Sequence, residues 1–311
     1  MCIESTEMNI RNIFQKLLEL PFDLASSKSR HEKLMLLNGR ILCRQNSDLG
    51  VIDSLAEAEF SVFSQWGDDG IIQWLLRHIK FPNHTFIEFG VENYRESNTR
   101  FLMMNNNWSG LVMDGSPKNI ARITKSEYFW KYDLKALSAF ITAENINDLI
   151  FKSGFEPDVG ILHIDLDGND YWIWKAIHVI SPIVVIVEYN SIFGPDRAIT
   201  VPYDPMFQRT KSHPSNLYAG ASLKALKSLA DEKGYSFIGC NSAGNNAYFV
   251  RNEYLNETIT RTASGNDFVS SKFRESRRDD GSLECLSGLS RALRIKGMLV
   301  YNTESSQIEP F

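Results

Sequence analysis

The chain has little cysteine: four residues in 311, at Cys2, Cys43, Cys240 and Cys285, none in a metal-chelating or redox spacing. A disulfide framework and a structural zinc site are therefore excluded as organising devices. It has no uninterrupted apolar run long enough to cross a bilayer, and Met-Cys-Ile-Glu-Ser-Thr-Glu at its start has neither a basic nor an apolar leader segment. The expectation is a cytoplasmic protein with no transmembrane segment. Positive charge is not in excess either, with 33 Lys and Arg against 38 Asp and Glu and a net charge of −5. The one basic cluster, Arg274 to Arg278, is offset by Asp279 and Asp280, so nothing points to nucleic acid. A G-x-G-x-x-G fingerprint is missing as well, which removes the usual cradle for a dinucleotide pyrophosphate. What remains is the composition of an ordinary globular protein, sized for one large α/β domain with extensions or two small ones.

The hydrophobic pattern fills in the organisation. Residues 7 to about 62 carry interrupted helical periodicity (Ile13, Leu17, Leu18, then Leu34, Leu36, Leu37, Ile41), an N-terminal helical extension over 1–62. An amphipathic helix (Ile71, Ile72, Leu75, Leu76, Ile79) leads into short apolar runs at 85–90, 110–114, about 128–132, 159–165 and 183–189. Helices are expected from Pro117, at 135–153, 170–180 and 222–234, with Pro117 in a first turn and Gly234 closing the last. Strands near 235–240 and 246–251 are joined by a hairpin-length segment and should be antiparallel. Alternating strands and helices over 63–251 predict a doubly wound, Rossmann-like, seven-stranded and mostly parallel sheet with an antiparallel terminal hairpin. The tail, 252–311, reads as a lid and a docked final strand on the same domain.

Chemistry concentrates where the strands end. Thr85-Phe-Ile-Glu-Phe-Gly90 and Gly110-Leu-Val-Met-Asp-Gly115 each close on an acid beside a glycine. In an open parallel sheet the ligand lies there, glycine admits it to the backbone, and a carboxylate on the neighbouring strand accepts ribose hydroxyls. Asp114 is the ribose candidate. The ordered set Phe63-Ser-Gln-x-Gly-x-Asp69-Gly, Phe86-Ile-Glu-Phe-Gly-Val, Asn98-Thr, Trp108-Ser-Gly-Leu-x-x-Asp114-Gly and Asp165-x-Asp-Gly-Asn-Asp170 resembles the class I S-adenosylmethionine-dependent methyltransferases. More narrowly it is similar to the branch that includes FkbM-type O-methyltransferases, over roughly residues 60 to 251. The resemblance implies S-adenosyl-L-methionine as cofactor, with Glu88 and Gly90 against its methionine portion, Asp114 on the ribose and Asp133 near the adenine. Gln65, Asn98, Thr99, Gly115 and Ser116 join the expected cofactor set. After Gly90 the chain departs from the pattern in having no further glycine, which leaves the amino-acid end of the cofactor open.

His163-Ile-Asp-Leu-Asp-Gly-Asn-Asp170 offers four oxygen ligands in six residues, and Glu188 and Asn190 end the next strand. Asp165, Glu188 and Asn190 are candidate ligands for a hard divalent cation, Mg2+ foremost. The same acids, Asp165 and Asp167, could instead cap the following helix. An EF-hand is excluded because its glycine and glutamate positions are Asp170 and Ala176. Without a metal, a base must come from Asp165, Asp167, His213 or His163, the last inside an apolar strand. The segment 190–220 is too long for a connector, and Tyr203, Asp204, Arg209 and Tyr218 suit a polyhydroxylated acceptor. A sugar hydroxyl of a glycoconjugate, polysaccharide or natural product is the expected acceptor, in a chain that could form a homo-oligomer. Two other functions stay open: a metal-dependent hydrolase or phosphotransferase using the Asp165 to Asp170 turn, and a silent module that binds cofactor or glycan.

Overall fold

A computed structural model describes residues 29–155, 157–263 and 268–311. The periodic positions Ile13, Leu17 and Leu18 lie outside these residues. Residues 29–46 form helix α1. Its Met35, Leu36, Leu42 and Cys43 pack on Phe60, Val62, Phe63 and Phe101, and Glu32 pairs with the buried Arg100 at 3.0 Å.

Helix α2 (Asp68–His78) precedes strand β1 (Thr85–Phe89), then α3 (Arg100–Asn106), β2 (Ser109–Asp114), α4 (Pro117–Thr124), α5 (Glu127–Lys131), β3 (Leu134–Ser138) and α6 (Ile146–Lys152). Next come β4 (Ile161–Ile164), α7 (Asp170–Ala176), β5 (Val184–Glu188), β6 (Ile199–Thr200), α8 (Arg209–Ser212), α9 (Leu223–Lys233), β7 (Tyr235–Cys240) and β8 (Asn246–Arg251). The chain closes with α10 (Glu257–Ala263), α11 (Leu289–Arg294), β9 (Leu299–Asn302) and β10 (Gln307–Pro310). Seven strands make one sheet in the order β3-β2-β1-β4-β5-β8-β7. Its first five strands are parallel, and β8 pairs antiparallel with both β5 and β7, as the hairpin-length junction requires.

Period-two alternation splits each strand between two cores. Phe86, Val112, Ile161 and Ile186 face α2, α3 and α4, whereas Ile87, Phe89, Leu111, Leu162 and Val185 face α6, α7 and α9 with Trp174. Burying one such side chain contributes about 1.5–3 kcal/mol, which makes the double-sided cover the main source of stability. Local signals stop and start the helices as the sequence suggests. Ser116 caps α4 ahead of Pro117, Ser222 caps α9, and Gly234 ends it at φ +80°.

Two expectations need correction. Residues 127–131 are helix α5, not a strand, and β3 follows at Leu134–Ser138 where a helix was expected. The aromatic run Tyr128 to Tyr132 has strand propensity, but Glu127 and Lys131 form an (i, i+4) ion pair that belongs to a helix. The segment after β5 is also more than a loop. Its β6 joins β9 and β10 in a second, three-stranded sheet. Tail and insertion thus share a small core of Phe193, Ile199, Val201, Leu217, Ile295 and Val300. Among the described residues, no helix is long and apolar enough to cross a membrane.

Candidate functional site

The sheet order reverses between β1 and β4, and a cavity of about 710 Å³ opens there over the carboxyl ends of the strands. Gly90, at the tip of β1, has φ +71°, and a Cβ there would meet the Asp165 carbonyl oxygen at 1.7 Å. Only glycine fits, so the β1 and β4 ends touch backbone to backbone. The Gly90 N–H donates to the Met113 carbonyl at 3.0 Å, which sets Asp114 beside it.

Glu88 is 2% exposed and saturated. It accepts from Ser97 Oγ (2.7 Å), the amides of Asn98 (3.0 Å) and Thr99 (3.2 Å), Thr99 Oγ1, and His163 Nδ1 (3.0 Å). Burial pushes its carboxyl up, but the hydrogen bond and charge of His163, with Thr99 and Ser97, outweigh this and hold it below its usual value. Glu88 is therefore a clasp for the 97–99 turn, and its ligand-facing role passes to the groups it holds. The neighbouring 90–94 loop has Glu92 and Tyr94 at positive φ, where glycines would be easier. Asp114 Oδ2 accepts the Glu92 amide at 2.9 Å, and Oδ1 accepts the Ser116 amide at 2.8 Å.

The 62–66 segment is set by Asp69. Its Oδ2 accepts the amides of Val62, Phe63 and Ser64 at 2.7–2.8 Å, while its buried Oδ1 has no partner. This turn brings Gln65 and Trp66 to the cavity, where Trp66 stacks on Phe273 with centroids 5.8 Å apart. Asp68 is buried by Asn241, Asn246 and Tyr248.

The other half of the cavity is a cluster of carboxylates. Asp165, Asp167 and Glu188 each offer an oxygen, all within 4.8 Å of one another. No side-chain hydrogen bond engages Asp165 or Glu188 among the described residues. Burial, then Asp167, raises the Asp165 carboxyl to about 7. Burial, then Asp165, Asp167 and Asp170, raises Glu188 well above its usual value, with Arg209 opposing. Asp167 stands at φ +53° and pairs with Arg209 Nη1 at 2.7 Å. Neither acid caps α7; Asp170 instead closes the turn, accepting the amides of Leu166 (2.7 Å) and Gly168 (3.0 Å).

The expected residues thus divide. Gln65, Glu88, Gly90, Asn98, Asp114, Gly115, Asp165, Asp167, Glu188 and Arg209 line the cavity. Thr99 and Ser116 sit one layer behind, as partners of Glu88 and Asp114. Asp133 is at the opposite edge: its carbonyl accepts the Gly110 amide at the amino end of β2, because β3 begins one residue later than Asp133. Asn190 spends its amide on the Leu217 and Ala219 carbonyls, both at 2.9 Å, and its oxygen on the Ile192 amide. It clasps the insertion. His213 turns to Ser215 at 2.7 Å and does not line the cavity. Tyr203 bonds Glu144 at 2.6 Å, the Asp204 carboxylate accepts the Met206 amide, and Tyr218 bonds the Leu299 carbonyl; none of the three lines the cavity. His163 is satisfied on both nitrogens, by Glu88 and by Asn98 at 3.1 Å.

Several lining residues escaped the sequence reading. Phe140 follows the misplaced β3, and Phe207, Phe273 and Glu275 come from the insertion and the tail. Trp66 alone carried a signal, lying inside the Phe63 to Gly70 motif. A Cβ at Gly168 would meet the Phe207 ring at 2.3 Å, so this glycine admits that ring to the site.

Nine lining residues are acidic and one, Arg209, is a fixed cation. Such a field favours a cationic ligand and opposes a pyrophosphate.

Solved structures similar to the chain include the methyltransferase domain of the citrinin polyketide synthase (12% identity, 59% of this chain and 51% of that one, TM-score 0.39). Two others are an S-adenosylmethionine-dependent methyltransferase from Clostridium acetobutylicum ATCC 824 (11%, 64% and 95%, 0.38) and an O-methyltransferase from Bacillus cereus in complex with SAH (15%, 53% and 72%, 0.35). The chain spans about half the length of the first. No protein-family model and no curated protein matches it.

Proposed function

We propose that the chain is an S-adenosylmethionine-dependent O-methyltransferase of the FkbM-like kind, acting on a hydroxyl of a sugar-containing acceptor. The observation that carries this reading is the pairing of the bare Gly90 backbone with Asp114 on the adjacent strand end, at the point where the sheet order reverses. Asp114 Oδ1 is filled by the Ser116 amide and the Asn119 side-chain amide, whereas Oδ2 accepts only the Glu92 amide and keeps a lone pair for a ribose hydroxyl. Ala139, Phe140 and Ile141, beyond β3, offer an apolar wall for the adenine in place of Asp133. The cofactor supplies an activated methyl on a sulfonium, whose positive charge suits the acid-rich cavity.

Asp165, Asp167 and Glu188 fit a divalent cation. Each offers one oxygen within 4.8 Å of the other two, near enough for all three to turn toward one ion, and Asp165 and Glu188 have no competing protein donor among the described residues. Mg2+ held there would lower the pKa of the acceptor hydroxyl. Arg209 would keep Asp167 oriented from the opposite side. A metal-free version is favoured by a separate observation: Asp165, raised to about 7, is poised to take the hydroxyl proton near neutrality. Either way, positioning the hydroxyl in line with the methyl is the main contribution of the protein.

The test is calorimetric titration of S-adenosylhomocysteine into the wild type and Asp114→Ala, with EDTA and with Mg2+. Micromolar binding lost in the variant supports the reading. No binding under any condition sinks it and favours a hydrolytic centre at Asp165 to Asp170.

A further inference from the structure

A second, smaller pocket of about 30 Å³ adjoins the main cavity, sharing Glu188, Arg209 and Phe273 with it. Its remaining charged residue is Arg291, from α11 in the tail. Arg291 is 6% exposed. Its guanidinium lies over the Phe273 ring at 5.4 Å and donates once, from Nη1 to the Phe273 carbonyl at 3.2 Å. Nε is buried with no partner, and no carboxylate lies within ion-pair distance among the described residues. Glu275, the acid that acts on it, is already paired with Arg277 at 3.2 Å.

A buried guanidinium without a counterion is costly, and proteins keep one where an anion will supply the missing charge. Arg209 strengthens the case. Its Nε and Nη1 are committed to the Asn216 carbonyl and Asp167, both at 2.7 Å, while Nη2 has no protein acceptor among the described residues. Two guanidiniums therefore face one small pocket whose lining holds a single carboxylate, Glu188; Asp167 already meets the charge of Arg209, so the charge an anion would satisfy is that of Arg291. Size narrows the choice. At ~10–15 Å³ of such space per water, the pocket has room for about two waters, the footprint of a carboxylate and too little for a sugar ring.

We infer that the side pocket is a carboxylate subsite, in which Arg291 and Arg209 hold the acid group of a hydroxyl-bearing acceptor such as a uronic acid. The hydroxyl of the same molecule then reaches the Asp165 side of the main cavity. This rests on the methyltransferase reading for what the acceptor is, but the anion subsite itself does not require it. Forked guanidinium contacts read a planar carboxylate and discriminate against the neutral alcohol at the same position.

The experiment compares D-glucuronate with D-glucose at matched ionic strength, by calorimetry and thermal shift, on the full chain and on Arg291→Gln. Glucuronate should bind the wild type at least about tenfold more tightly than glucose, the span of one charge-assisted hydrogen bond. Arg291→Gln should remove that preference while leaving glucose within about twofold. Arg291→Lys, which keeps the charge but not the fork, guards against a folding defect and should retain part of the preference. Equal binding of the two sugars by the wild type, or an undiminished preference in Arg291→Gln, overturns the subsite. Titrating S-adenosylhomocysteine into the same samples separates the two ideas. Its failure to bind beside an Arg291-dependent glucuronate preference removes the methyltransferase reading and keeps the subsite; binding without that preference does the reverse.

Discussion

Glu88 and Glu188 are the same residue at the same place, the carboxyl end of a parallel strand, and both open on the same cavity. Glu88 accepts from four residues and is held below its usual pKa; Glu188 accepts from none and is pushed well above its own. Glu88 is the more deeply buried of the two yet has the lower carboxyl, so the partners decide and not burial. The β1 side of the cavity is finished by its own polypeptide and presents a fixed shape. The β5 side is left with unspent acceptors, which is the condition expected of a site that a ligand completes.

The sharpest way to break that contrast is to truncate both acids. Glu88→Ala strands the donors of Ser97, Thr99 and His163 and should cost about 3–5 kcal/mol in urea denaturation. Glu188→Ala relieves repulsion and should leave stability unchanged or raised. Similar losses in both variants would erase the distinction. Asp69 is an intermediate case, with one oxygen saturated and the other orphaned. Burial outweighs its three amides and lifts its carboxyl to about 6. An acid with a raised folded pKa binds its proton more tightly in the native state. Its contribution is thus fully present below the unfolded value of ~3.9 and falls away as pH climbs to about 6, a span of roughly 2–3 kcal/mol. Asp69→Asn keeps an acceptor for the amides, cannot ionise, and should unfold with a flatter pH dependence across that window.

Asp114→Ala sharpens the comparison from the finished side: S-adenosylhomocysteine affinity should fall by about 1.5–3 kcal/mol, with a smaller loss of stability than Glu88→Ala because the Glu92, Ser116 and Asn119 donors it releases can reach water. From the unfinished side, a divalent cation at about ten times its Kd should add ~1.4 kcal/mol to the wild type and nothing to Glu188→Gln. A cation effect that survives the substitution would place the ion elsewhere.

Sequence pattern carried the sheet well and the site unevenly. The β-branched run 183–189 and the hairpin-length junction at 241–245 were legible because periodicity and turn length are local properties. Asp133 was misplaced because Tyr128 to Tyr132 has the composition of a strand, which hid the weaker local helix signal of Glu127 and Lys131 four residues apart. The role of Glu88 was hidden for a related reason: an acid ending a strand reads alike whether its partners come from the chain or from a ligand. Tyr203, Asp204 and Tyr218 were sound choices by chemistry that is spent within the chain, Tyr203 on Glu144 ahead of α6, Asp204 inside the insertion and Tyr218 on the tail, while Phe273, Glu275 and Arg291 reach the site from a segment with no motif at all.

The second sheet imposes a timetable. β6 ends at Thr200, and the strand that pairs with it, β9, begins at Leu299. A ribosome adding about 5–20 residues per second needs ~5–20 s to cover that interval. During this delay the α/β sheet can already be whole while β6 has only its contacts with Gly220 to Ser222 and lacks the tail half of its core. The nascent chain is most in need of chaperone cover then, because the insertion completes its core only once Ile295 and Val300 arrive.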